Sequence, residues 1–307
     1  MADIIPFPDE QVRLWEQGLR KIAEKEFLQA QQLFQTIYQQ VPSFECCQKL
    51  VEVTQSLGEF KQALAYAEDY LDDFLSNNES FRTYIHLLIL DGRYLLARAY
   101  LVATTLEADT LLAELTQIEQ TQQWLQAGHA SDLAMKERQL DQWEAAMRPV
   151  GQQEWARWTQ QVTQFDFQTI GKNYLSQARN PFLIPKIIEE LVKIGTSGVY
   201  EIQGQTMAVE TLVLPQKMPF VMEGLSYLQQ KALANPQLEE LVQAEWQAHC
   251  ALMYPFLPNP ESAPLWMASY LMEYQQLFGS VEQVEIEIPS QIQEKKAELR
   301  QIYQKLI

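Results

Sequence analysis

Lys25-Glu26-Phe27-Leu28-Gln29-Ala30, Gly58-Glu59-Phe60-Lys61-Gln62-Ala63 and Gly92-Arg93-Tyr94-Leu95-Leu96-Ala97 are three versions of one pattern. Each opens on a small or turn-forming residue, places an aromatic two positions on and an alanine three further. The alanines lie 33 and 34 residues apart. A fixed period of this length marks a stack of helical hairpins. In such a hairpin two antiparallel helices approach closely, so Ala30, Ala63 and Ala97 leave room for a neighbour while the aromatics fill the remaining gap.

The pattern resembles the tetratricopeptide repeat (TPR), whose unit is 34 residues. The first unit carries further signature positions: Gly18 where the first helix meets the second, Phe34 facing inward, and Pro42 closing the unit. The second and third units are looser, with Val51 and Ile85 in place of the small residue, Leu75 in place of the closing proline and Thr104 outside the pattern. One hairpin cannot bury its own apolar face, so three units need a covering element after residue 104. The resemblance implies a mainly α fold, a TPR-like α-α superhelix that binds a peptide or a helix of another protein in a concave groove. The first-helix positions that would line this groove are Trp15, Leu19, Gln48, Glu52, Gln55, Arg82, His86 and Ile89. Packing between repeats is the competing reading of Trp15 and His86. Family members that clamp a terminal carboxylate use Lys, Arg and Asn here; only Arg82 fits, so that ligand is not expected.

Beyond the repeats, Leu111, Leu115, Ile118 and Leu125 form a helical stripe, and Leu133, Leu140, Trp143 and Met147 form another that ends before Pro149, with an interruption at Gly128 and His129. Trp155, Trp158, Val162 and Phe165 continue the spacing, and the tryptophans read as core because too few cations accompany them for a base-stacking platform. Asn180-Pro181 opens a short buried helix over Phe182–Ile194. The period then changes. Val199–Gln203, a turn at Gly204-Gln205 and Met207–Leu214 predict a β-hairpin closed by Pro215. Helices are expected over Pro219–Leu233, Pro236–Met253 and Glu261–Phe278, then a strand over Val281–Ile288 and a terminal helix opened by Pro289. The stretch from Asn180 through Tyr254-Pro-Phe-Leu-Pro258 is similar to the C-terminal region of uncharacterised Gram-positive bacterial TPR-containing proteins, which implies architecture and no functional residue. The expected organisation is 1–106 repeats, 107–179 continuing helices, and 180–307 a C-terminal helical region carrying the hairpin.

Forty acidic against twenty-three basic side chains give a formal charge of −17. Such a chain repels phosphate backbones and anionic membranes, so nucleic acid and membrane partners are not expected. A winged-helix reading of the hairpin fails because Gly198–Pro215 contains no Lys or Arg. The opening MADIIPFPDE lacks an export signal and no apolar run approaches bilayer length, so a cytoplasmic location is expected. Cys46, Cys47 and Cys250 do not form a disulfide framework, and adjacent cysteines diverge too far for a zinc pair. No phosphate loop, GxSxG or HExxH motif occurs, and adjacent acidic pairs such as Glu189-Glu190 point about 100° apart on a helix. No enzyme activity, cofactor or metal is expected. A protein-binding scaffold with an unknown protein or peptide partner leads; a homo-oligomerising structural module and an enzyme assembled only in three dimensions are the alternatives.

Overall fold

The computed structural model describes residues 8–125, 129–231, 235–279 and 286–305. The protein is mainly helical, with one small antiparallel sheet, and its contacts divide it into two units. None of the described helices is long and apolar enough to cross a membrane.

The first unit holds the residues up to Leu125 and Thr159–Thr163. Its helices are α1 (Pro8–Ala23), α2 (Phe27–Gln40), α3 (Phe44–Ser56), α4 (Phe60–Glu68), the single turn α5 (Leu71–Phe74), α6 (Asn78–Leu90), α7 (Tyr94–Ala103) and α8 (Asp109–Leu125). They pack consecutively. The repeated stretches are the hairpin turns: Lys25, Gly58 and Gly92 all adopt positive φ, +60°, +78° and +75°. The next amide then reaches back five residues, Glu26 to the Lys21 carbonyl at 2.9 Å, Glu59 to Thr54 at 3.1 Å and Arg93 to Leu88 at 2.8 Å. This is a left-handed helix stop, repeated three times. Two following helices are started by side chains: the Ser43 hydroxyl accepts the Cys46 N–H, and the Asn77 side-chain oxygen accepts those of Glu79 and Ser80.

Ala30, Ala63 and Ala97 are fully buried, as close helix approach requires. A Cβ on Gly18 would lie 2.7 Å from Phe34 Cζ, so the first hairpin closes at a contact that only glycine allows. Apolar clusters fill the described part of this unit. One joins Ala30, Phe34 and Ile37 of α2 to Cys46, Leu50 and Val53 of α3. Another runs from Cys47 through α4, α6 and α7 to Leu111 and Leu115, so α8 is the covering element. The buried Arg98 guanidinium donates to Glu119 and, at 3.2 Å, to the Thr116 hydroxyl, fixing α8 on α7.

The second unit contains α9 (His129–Ala146), α10 (Gln152–Thr159, less its last residue), α11 (Gln164–Leu175), α12 (Leu183–Lys193), β1 (Val199–Ile202), β2 (Gln205–Ala208), α13 (Pro219–Gln230), α14 (Pro236–Met253), α15 (Ala263–Leu277) and α16 (Ser290–Gln304). Trp143, Trp155, Trp158 and Phe167 pack ring against ring at 5.0–6.4 Å, a core as expected. Phe165 is not part of it. The helical spacing breaks where Gln161 turns to φ +61°, and Phe165 begins a new helix with 64% of its surface exposed.

The β-hairpin forms with a shorter second strand than Met207–Leu214. Val199 pairs with Ala208 and Ile202 with Gln205 across a turn at Gln203 and Gly204, both at positive φ. Because β1 begins after Gly198, residues beyond Ala208 have no partner strand among the described residues and wind into a 3-10 turn, Val209–Thr211, with Val209 buried. Tyr200 and Ile202 are buried while Val199 and Glu201 face out. The expected helix Glu261–Phe278 starts with a 3-10 turn, Pro260–Ser262, before α15. The interruption expected at Gly128, and all but the last residues of the strand expected over Val281–Ile288, lie outside the described residues.

Candidate partner-binding face

The eight positions read as a groove occupy equivalent places in successive hairpins: Trp15, Gln48 and Arg82; Leu19, Glu52 and His86; Gln55 and Ile89. They lie on α1, α3 and α6, the first helix of each hairpin. Leu19, Gln48, Glu52 and Arg82 are exposed, and Gln55 is half-buried. Ile89 is different. With 7% exposure it belongs to the apolar core and offers nothing to a partner.

Trp15 is half-buried and meets Phe34 edge-on, with centroids 5.2 Å apart, so its ring serves packing and surface together. His86 is also half-buried, its Nε2 3.4 Å from a Glu114 carboxylate oxygen. Glu114 on α8 thereby joins the set; the sequence pattern missed it because a helical stripe reports the buried side of a helix. Glu52 accepts from Lys49 at 2.7 Å, which leaves Arg82, Gln48 and Gln55 as the uncompensated polar groups of the row among the described residues. The face combines amide, carboxylate, guanidinium and imidazole groups with one apolar end at Trp15 and Leu19.

Two further constellations lie in the second unit. Between α9 and α11 a cleft of about 300 Å³ has Glu137, Asp141 and Glu144 on one wall and Asn173, Tyr174 and Gln177 on the other. Glu144 is already engaged, accepting from the Tyr174 hydroxyl and from the Arg179 and Asn180 amides at 2.7 and 3.1 Å. The buried Asn180 side chain donates to the Trp143 and Arg148 carbonyls and accepts the Phe182 N–H. This cleft wall is therefore a brace that sets the start of α12.

The second constellation ties α16 to α14 and α15. Lys296, 1% exposed, donates to Ser269 at 3.0 Å and Glu273 at 2.8 Å and lies 4.0 Å from the Tyr270 ring centroid. Burial lowers its pKa. Arg300 bridges Glu245 and Glu273, and its bonds to Glu245 raise its pKa. His249 Nδ1 sits 2.6 Å from the Tyr270 hydroxyl, and burial brings its pKa down to about 4. Each charge here has its counter-charge, so the cluster acts as a structural bracket.

The cysteines are buried, and burial pushes the thiol of Cys46 up to about 11 and that of Cys47 up to about 12. Both thiols are spent on carbonyls, Cys46 on Phe34 and Cys47 on Tyr66. Among the described residues no group of three or more His, Cys, Asp or Glu is placed to hold a metal ion. Compared with known proteins, the chain matches no family model, no curated protein and no solved structure.

Proposed function

We propose that the protein is a scaffold that binds a segment of another protein across the first helices of its hairpins, in the manner of the tetratricopeptide proteins its sequence resembles. One observation supports this above the others. Equivalent positions of three consecutive hairpins, Trp15/Gln48/Arg82 and Leu19/Glu52/His86, carry exposed or half-exposed side chains, while positions beside them are buried in apolar clusters. Stacked hairpins of constant turn geometry curve into a superhelix, and its inner face reads a ligand through such repeated positions. The mixed chemistry of the row fits a peptide or helix that offers one apolar side chain to Trp15 and Leu19 and hydrogen-bonding groups to Gln48, Arg82 and His86.

The test compares partner capture by the wild type with capture by Gln48→Ala/Glu52→Ala/Arg82→Ala, three exposed positions whose loss leaves the core intact. Partners retained by the wild type and lost by the variant are expected. Identical recovery by both, with matching circular dichroism, refutes the assignment.

A further inference from the structure

The hairpins of the first unit pack in one direction: the second helix of one hairpin lies in a seat formed by the next. In the second hairpin this seat carries Cys46, Leu50 and Val53, each 0% exposed, against Ala30, Phe34 and Ile37 of α2. Its polar rim is also satisfied by α2. Gln31 donates to Thr54 at 3.2 Å and Glu59 at 2.9 Å, Gln35 to the Tyr66 hydroxyl at 3.0 Å, and the Tyr38 hydroxyl to Asp69 at 3.1 Å. In the third hairpin the equivalent stripe, Ser80, Tyr84 and Leu87, is likewise buried.

Shifting the register back by 33 residues puts Arg13, Gln17 and Arg20 at these places on α1. All three are exposed. The seat itself is present as an open groove of about 640 Å³ between α1 and α2, with Gln17, Arg20 and Lys21 on one side and Gln32, Leu33 and Thr36 on the other. Its position is that of a hairpin seat and its chemistry is the reverse. Seating another apolar helix there would bury two guanidinium groups and an amide, each with several donors left unsatisfied.

We propose that the Arg13–Gln17–Arg20 face is a terminating cap: it keeps the seat on α1 wet and prevents the same face of a second copy from packing against it. Repeat arrays need such polar end faces, because an apolar one would join copies end to end. The proposal concerns self-association and does not depend on the identity of any partner.

The test grafts the apolar seat of the second hairpin onto the first, with alanine standing in for Cys46, as Arg13→Ala/Gln17→Leu/Arg20→Val, and measures mass by size-exclusion chromatography with light scattering over a concentration series. The variant is expected to rise with concentration toward twice the wild-type mass. A control that adds the same leucine and valine on the exposed face of α8, Gln117→Leu/Gln120→Val, is expected to keep the wild-type mass. A folded grafted variant that keeps the wild-type mass overturns the proposal, and so does a control that associates equally. Should the triple variant fail to fold, Gln17→Leu alone is read in the same way. A Gln17→Cys protein that forms a disulfide between copies in native solution also overturns it, since the face would already be covered by a second copy.

Discussion

At Gly18 the missing side chain is matched by a large one opposite: the hydrogen occupies space that a Cβ would share with Phe34 Cζ, 2.7 Å away. The equivalent pair in the second hairpin is Val51 with Ala67, and in the third Ile85 with Leu101, all four buried in one cluster. Volume is thus exchanged between the two helices from the first hairpin to the second, which is why the second unit departs from the sequence signature and still packs, while the third seats two large apolar residues at the same place. Gly18→Val should reduce unfolding free energy by roughly 1–3 kcal/mol through overpacking, and Phe34→Ala by about 3–5 kcal/mol through the cavity it leaves. The double variant should lose clearly less than the sum, because it recreates the small-and-branched pairing of the second hairpin. Strict additivity in urea unfolding would sink this account. The Gly18–Phe34 pairing was legible in the sequence, since a glycine at a fixed distance from a repeat turn has few other uses. His249 was not, because its partner Tyr270 is set by how α14 meets α15. Its titration gives a second expectation. The folded pKa of about 4 lies below the ordinary 6.5, so protons favour the unfolded chain and this stability is lost as pH falls from about 6.5 toward 4. The loss should reach about 3 kcal/mol at pH 4. His249→Gln should remove that pH dependence, read as the difference between wild-type and variant urea midpoints; parallel curves over the window would contradict it.

At the level of elements, the turns decide more than the helices. Lys25, Gly58 and Gly92 share one left-handed conformation, yet only two of them are the residue that adopts it without strain. A Cβ at Gly58 would meet nothing within 4 Å, so Gly58→Ala isolates the backbone term. That change should destabilise by about 1 kcal/mol, and Lys25→Gly should stabilise by up to about 1 kcal/mol. Opposite shifts in thermal midpoint are the expected pair of results; shifts of the same sign would reject a common turn. Helix positions were largely readable: α14 runs from Pro236 to Met253, its predicted bounds, because Asn235 caps one end and the other halts at Tyr254-Pro255. The second strand was overextended because the β-branched Val209, Thr211 and Val213 alternate as a strand would, although no strand among the described residues pairs with them. Likewise the spacing from Trp155 to Phe165 hid a break at Gln161, whose N–H is bound by the Gly92 carbonyl at 2.7 Å, a contact between positions remote in sequence. Periodicity reports which side of an element is buried, but not what ends it.

For the whole molecule, charge and composition restricted the classes of partner without choosing one, and the first-helix row became concrete only when exposure separated Arg82 and Glu52 from Ile89. The buried Arg98–Glu119 pair and the bracket around Lys296 were invisible in sequence because each joins residues on different helices whose packing no local pattern encodes. The route of the chain was equally hidden. It leaves the first unit at Leu125, returns for Thr159–Thr163, and leaves again. On that return Gln160 donates to the Asp91 carbonyl at 3.2 Å, Gln161 to Gly92, and Gln123 reaches the Thr163 hydroxyl at 3.2 Å. During synthesis, therefore, the third hairpin turn stays unstitched while the intervening α9 and most of α10 emerge, and the amino-terminal unit completes its contacts only after residue 163 has left the ribosome. A fragment cut at Leu125 would keep every repeat and still lack the segment that fastens the last of them.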